Sequence, residues 1–261
     1  MITLAALLRT VLFALAFWQG GCACAQSLVL VTGEWRPFLS ESLPNNGPVA
    51  EVVMASMKAA GLDASVAFYP WVRAEKMAAS AEVFAAFPYA TTAERRAQYL
   101  ISDPILTLQT RLLIYLGNAK TPPSAVNWKL DAIKAASMGV PRGSHRLTQV
   151  RAQAYPNIVE TADVDNSVRM LRAGRFDLLA EVPVIAFDSI RRLYPAEADK
   201  FLVLDVTPFP MHDNTLIVGQ SYPNAAEIIK KFNGGLALIR KSGEYDRIMG
   251  RYQDAQRKSG G

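Results

Sequence analysis

Two successive rounds of strand and helix leave this chain few folds to choose from. Short apolar runs alternate with helical periodicity from Ser27 onward. In the first round Ser27–Thr32, Ala64–Tyr69, Glu82–Phe87 and Leu108–Leu116 read as strands. Val49–Ala60, Pro70–Ala79 and a short segment from Ala93 read as helices, with Pro70 suited to a first helical turn and Gly61 to a helix stop. In the second round Ala135–Val140, Asn157–Glu160, Phe176–Ala180 and Phe201–Asp205 read as strands, and Ser144–Ala154, Asn166–Ala173 and Val184–Leu193 as helices. A strand over Asn214–Gly219 and two helices, Asn224–Lys241 and Glu244–Gln253, close the chain. Such alternation predicts an α/β fold of parallel sheets flanked by helices. Gly117–Trp128, with Pro122-Pro123 and polar residues, has the makeup of a connection between the two rounds.

The segment before Ser27 is of another kind. Its only charge is Arg9, an apolar run follows from Val11 to Trp18, and Ala23-Cys24-Ala25 matches an A-x-A cleavage pattern. Residues 1–25 therefore read as an export signal, with the mature chain starting at Gln26. The apolar run is too short to span a membrane comfortably. Lipid attachment at Cys22, after Gly20-Gly21, is an alternative fate for the leader.

Composition narrows the chemistry. The chain has two cysteines, Cys22 and Cys24, and both leave with the leader, so neither a disulfide nor thiol chemistry is expected of the mature protein. Two histidines, His145 and His212, are little material for a metal centre, and no metal or other cofactor is expected. The formal charge of +5 is small and spread along the chain, which speaks against a nucleic-acid partner.

Several short motifs, taken together and in order, resemble family 3 periplasmic solute-binding proteins, the polar amino-acid-binding components of ABC importers. Thr91-Thr92-Ala93-Glu94-Arg95-Arg96 followed by Ser102-Asp103-Pro104 resembles the family's "T-x-E-R … S-D-P" segment. Gly139-Val140 with Gly143-Ser144 resembles "G-V-x-x-G-S", Gly174-Arg175-Phe176-Asp177 resembles "G-x-x-D", and Gly243–Ile248 resembles "G-x-Y-x-x-I". Pro70-Trp71-Val72-Arg73-Ala74 is similar to the "P-W-x-R-A" of one branch. The chain departs from the pattern at Ala90, where the family has threonine or serine, and at Pro88, where glycine is common. The resemblance implies a type II periplasmic-binding-protein fold of two lobes, each a mainly parallel sheet flanked by helices. Lobe 1 would comprise residues 26–114 plus 215–261 and lobe 2 residues 115–214. Two hinge strands would cross near Ile114-Tyr115 and His212–Asn214.

Ligands of such folds lie in the crevice at the carboxyl ends of the strands. Arg95 would stand there, in the first turn of a short helix whose start has the capping-box spacing of Thr91 and Glu94. A guanidinium so placed can grip a carboxylate through two hydrogen bonds, and the resemblance gives Arg95 that role; otherwise it is a surface arginine. Gly143 and Ser144 open a helix whose free N–H groups could meet an anion, or Ser144 could serve only as a cap. Glu181 ends a strand where the resemblance implies a carboxylate for a ligand ammonium, or it caps the next helix. Trp35, Phe38, Phe87 and Tyr89 could wall the cleft. His145 and Asp177 read as a surface and a structural residue, and Trp71 and Arg73 as packing residues.

The function implied is capture of a small carboxylate-bearing solute, an amino acid or relative, by a monomeric periplasmic protein that passes it to an ABC permease in the inner membrane. An enzyme on the same scaffold, dehydratase-like with Glu181 as general acid, is one alternative. A sensor that presents its ligand to a receptor is the other.

Overall fold

The computed structural model describes residues 27–206 and 208–258, with side chains up to residue 251. The leader and Cys22 lie outside the described residues. Two sheets organise the rest. The first takes β1 (Leu28–Thr32), β2 (Ala64–Phe68), β3 (Ala85–Ala90), β4 (Tyr99–Ile101), β5 (Leu106–Gln109) and the late strand β11 (Met211–Gly219). Its order is β2-β1-β3-β11-β4, with β5 also pairing β11. The second takes β6 (Arg111–Tyr115), β7 (Met138–Pro141), β8 (Ile158–Thr161), β9 (Leu178–Glu181) and β10 (Phe201–Val203) in the order β10-β6-β9-β7-β8. Helices α1 (Pro48–Ala59), α2 (Trp71–Ala79) and α3 (Ala93–Gln98) connect strands of the first sheet. Helices α4 (Leu130–Ala135), α5 (His145–Ala152), α6 (Val164–Arg172) and α7 (Pro183–Leu193) serve the second, and α8 (Ala225–Lys241) and α9 (Glu244–Lys258) follow β11. The fold is the two-lobed α/β architecture expected.

The strand-helix-strand part of each sheet is parallel: β1 with β2 and β3, and β7 with β8 and β9. The strands next to the crossings run the other way. β11 is antiparallel to β3, β4 and β5, and β6 is antiparallel to β9 and β10. Each sheet is therefore mixed rather than mainly parallel, because a strand arriving from the other lobe enters from the opposite end. Leu108–Leu116 is two strands, not one. It breaks at Thr110, whose hydroxyl donates to Gln149 Oε1 at 2.7 Å, so β5 ends in one sheet and β6 starts in the other. The chain returns at Met211. The changeovers thus lie a few residues before the limits expected at 114 and 214.

Strand alternation places a core on both faces of each sheet. Leu30, Leu216 and Val218 pack with Val52, Met57, Phe232 and Leu236 of α1 and α8, while Val31 and Ile217 pack with Ala74 and Ala78 of α2. In lobe 2, Leu112 and Ile114 face Ile133 and Leu147, and Leu113 and Leu179 face Leu171 and Ile190. Val182 and Ile185, at the start of α7, belong to the same buried cluster as Phe38 and Leu39, so apolar packing joins the lobes.

Helices α1 and α8 meet backbone to backbone. A Cβ added to Gly235 would lie 2.1 Å from the Ser56 carbonyl oxygen, whereas one on Gly234 would meet nothing within 4 Å. Alanine gains about 1 kcal/mol of helix propensity over glycine. Overpacking against a fixed backbone costs about 1–3 kcal/mol. Urea unfolding should therefore find Gly235→Ala destabilised by about 1–2 kcal/mol and Gly234→Ala stabilised by up to about 1 kcal/mol.

Candidate functional site

The carboxyl ends of β3 and β7 face each other across the lobes. β3 leads into α3, whose N-cap is Thr92: its hydroxyl accepts from the Arg95 N–H at 3.2 Å. The cap is thus one residue later than the Thr91 expected. β7 leads into α5 through Gly143, whose φ of +70° suits glycine, and Ser144. The Ser144 hydroxyl donates to the Pro141 carbonyl at 2.7 Å and accepts from the Leu147 N–H at 3.3 Å, so it caps its helix. Arg95, Glu75, Gly143, Ser144, His145 and Thr148 line a cavity of about 200 Å³ between the lobes. Its wall is largely polar.

A larger groove of about 740 Å³ runs over Asn45, Met54, Lys58 and Glu244 on the outside of lobe 1. It takes in Gly61–Ala64, at the amino end of β2. Solutes in open α/β sheets bind at the carboxyl ends of the strands. The smaller cavity is accordingly the candidate site.

The side chains expected at the site divide into groups. Arg95 lines the cavity. Its Nε and Nη2 donate to the two oxygens of Glu75 at 3.0 and 3.3 Å, its Nη1 donates to the Ala90 carbonyl at 3.0 Å, and its guanidinium lies 4.8 Å from the Tyr89 ring centre. Tyr89 supports this arrangement from beneath: its hydroxyl donates to the Trp71 carbonyl at 2.7 Å, and burial, with the Glu75 carboxylate, holds its pKa above the usual range. Trp71 in turn donates to the Glu34 carbonyl at 3.3 Å and packs on the turn after β1. Trp35 is half-buried, 4.9 Å from Phe38. Phe87 does not wall the cleft: it is fully buried in the lobe 1 core, because it points to the α1 side of β3.

Glu181 is fully buried at the end of β9. Its Oε1 accepts from the Val182 N–H at 2.7 Å and stands 3.0 Å from Arg146 Nε. Among the described residues its Oε2 has no hydrogen-bond partner. Burial raises its pKa, and Arg146 and the Val182 N–H oppose that rise. Asp177, read as structural, accepts from the Ser137 N–H and hydroxyl at 2.9 and 2.6 Å.

Several features escaped the sequence. Glu75, Arg146 and Thr148 were not singled out, and His145 is not a plain surface residue. It lines the cavity with its ring 4.7 Å from that of His212 on β11. The i,i+4 spacing of Trp71 and Glu75 on α2 is the signal that could have found Glu75, since Trp71 anchors that helix face beside Tyr89.

The histidine pair carries a pH prediction. Burial first, then His145 and Arg146, lower the His212 pKa to about 4, against a small opposing pull from Asp213. His145 is lowered too, by burial and then Arg146 and Arg95. Folded His212 stays neutral where the unfolded chain, at 6.5, takes up a proton. Stability from this residue is thus fully present above pH 6.5 and is lost as pH falls toward 4. Between pH 7 and 4.5 the loss should be about 2–3 kcal/mol by chemical denaturation, and His212→Gln should remove that component.

No protein-family model matches the sequence, and no curated protein does. Solved structures do match. The chain is similar to a histidine kinase sensor domain with similarity to periplasmic binding proteins, at 19% identity over 87% of this chain and 96% of that one, with a TM-score of 0.70. It is similar to the arginine-, lysine-, histidine-binding protein ArtJ of Geobacillus stearothermophilus, at 21% identity over 87% and 95% of the two chains and a TM-score of 0.68. The GluR0 ligand-binding core of Nostoc punctiforme, solved with (L)-glutamate, aligns at 16% identity over 86% and 98%, with a TM-score of 0.69. These identities define the fold: the chain has the two-lobed architecture of periplasmic binding proteins, as the motifs implied. Among the described residues no helix is long and apolar enough to cross a membrane, and no group of three or more His, Cys, Asp or Glu could hold a metal.

Proposed function

We propose that this is an exported solute-binding protein that captures a small carboxylate-bearing solute, an amino acid or relative, between its lobes and delivers it to an ABC importer. The observation that carries the reading is the polar cavity with the Arg95 guanidinium on one wall and the Gly143-Ser144 turn on the other. A guanidinium and a helix start facing each other suit one anion held from both lobes, which favours the closed form when the solute is bound. Glu181, Trp35 and Tyr89 stand outside the residues that line this cavity, and Glu181 is fully buried against Arg146, so none of the three is assigned a solute contact. The leader directs the protein to the periplasm, where it acts as a monomer. The folds of ArtJ and of another amino-acid ABC transporter binding protein support this reading.

The likeness to a histidine kinase sensor domain favours a second reading, in which the closed form signals to a receptor. Neighbouring genes discriminate: permease and ATPase genes favour import, a receptor gene favours sensing. The binding step itself is tested by a thermal-shift screen of amino acids and small carboxylates. A true ligand at a hundred times its Kd should add about 2.7 kcal/mol of stability. If no compound of either class shifts the transition, the solute class is wrong.

A further inference from the structure

The carboxylate seat of Arg95 is already filled from within. Nε donates to Glu75 Oε1 at 3.0 Å and Nη2 to Glu75 Oε2 at 3.3 Å. Two side-by-side bonds to both oxygens of one carboxylate are the geometry in which an arginine holds a free carboxylate. Both residues stand on lobe 1, on α2 and α3, so the pairing does not wait for closure. Their side chains are 23% and 30% exposed, and both line the interlobe cavity opposite Gly143 and Ser144. The pair therefore sits where an incoming carboxylate would have to bind.

We propose that Glu75 is a specificity-determining residue: a built-in competitor for the Arg95 fork that shuts out plain carboxylates. This rests on the reading of Arg95 as the carboxylate grip. An internal carboxylate tethered beside its partner competes at a high effective concentration, which a weakly held monocarboxylate cannot match. The charge in the cavity points the same way. Glu75 and Glu94 outweigh Arg95 there, so an anion that brings no cation meets a net negative wall. A solute that carries a cationic group beside its carboxylate exchanges partners instead: its carboxylate takes Arg95, and the released Glu75 meets its cation.

The test uses acetate, the smallest suitable plain carboxylate, and reads the Nε–H signal of Arg95 by NMR, assigned by its loss in Arg95→Ala. In Glu75→Gln, acetate should shift that signal with a midpoint about three- to fivefold lower than in the wild type. Glu75→Asp, which keeps the charge but withdraws it by one methylene, should fall between the two. The same acetate midpoint in wild type and Glu75→Gln would overturn the proposal, and so would no response in either. Failure of the amino-acid screen is a separate result, since it leaves the acetate comparison standing.

Discussion

Arg95→Ala lowers the affinity for a carboxylate-bearing amino acid by about 100-fold, measured by isothermal titration calorimetry. Two charge-assisted hydrogen bonds to a partly desolvated carboxylate are together worth about 3 kcal/mol, and every 1.4 kcal/mol is tenfold. Arg95→Lys keeps the charge but loses the fork, and should cost about tenfold. Stability should move by less than about 1 kcal/mol in either variant, because the Arg95–Glu75 pair is part-exposed and such pairs contribute little to folding. A large loss of affinity with an unchanged melting transition therefore separates a binding role from a structural one. Unchanged affinity in Arg95→Ala would place the carboxylate elsewhere.

Arg146→Met should destabilise the protein by about 3–5 kcal/mol at pH 7, because it strands a buried carboxylate. Glu181 has no accessible surface, and Arg146 is its ion-pair partner at 3.0 Å. Without that guanidinium, Glu181 must either stay charged in an apolar surround or take up a proton. The deficit should shrink as pH falls, since protonation relieves the unpaired charge. The double variant Arg146→Met/Glu181→Leu should recover most of the loss, as replacing both partners of a buried pair by apolar residues is often near neutral. Urea unfolding of the two variants at pH 7 and pH 5 checks both statements. A single-variant loss below about 1 kcal/mol would mean that the pair is not a coupled buried ion pair.

The lobes were legible in the sequence because period-two apolar runs and helix periodicity each report a local fact. Leu30 and Val31, or Leu112 and Leu113, show as a run that is apolar on both faces, and the structure puts a core on each face. The strand expected over Glu82–Phe87 runs over Ala85–Ala90 and takes in Pro88, a residue that sheets tolerate only where its missing N–H is not needed. Pro88 stands beyond the residues paired with β1, opposite the irregular step between Thr215 and Ile217 of β11, where its missing N–H interrupts no regular ladder. The split at Thr110 falls in the polar Gln109-Thr110-Arg111 between two apolar runs, and which sheet each run joins is set by tertiary pairing.

The site was legible by residue type and position but not by partner. Arg95, Gly143 and Ser144 come together because the strands that precede them, β3 and β7, end facing each other across the cleft. Glu75, twenty residues before Arg95, is signalled only by its i,i+4 spacing from Trp71, which names no partner for it. His145 and His212 lie far apart in the chain, and only the crossing of β11 brings their rings together. Phe87 and Tyr89 have the same residue class and the same strand, yet one fills the core and the other supports the guanidinium.

A crystal structure of the chain with the amino acid that gives the largest thermal shift tests the central claim most directly. The account predicts the solute between α3 and the Gly143-Ser144 turn, its carboxylate on the Arg95 fork and Glu75 turned away toward its cation. A solute bound in the outer groove of lobe 1, or one in the cleft with the Arg95–Glu75 pair intact, would contradict it.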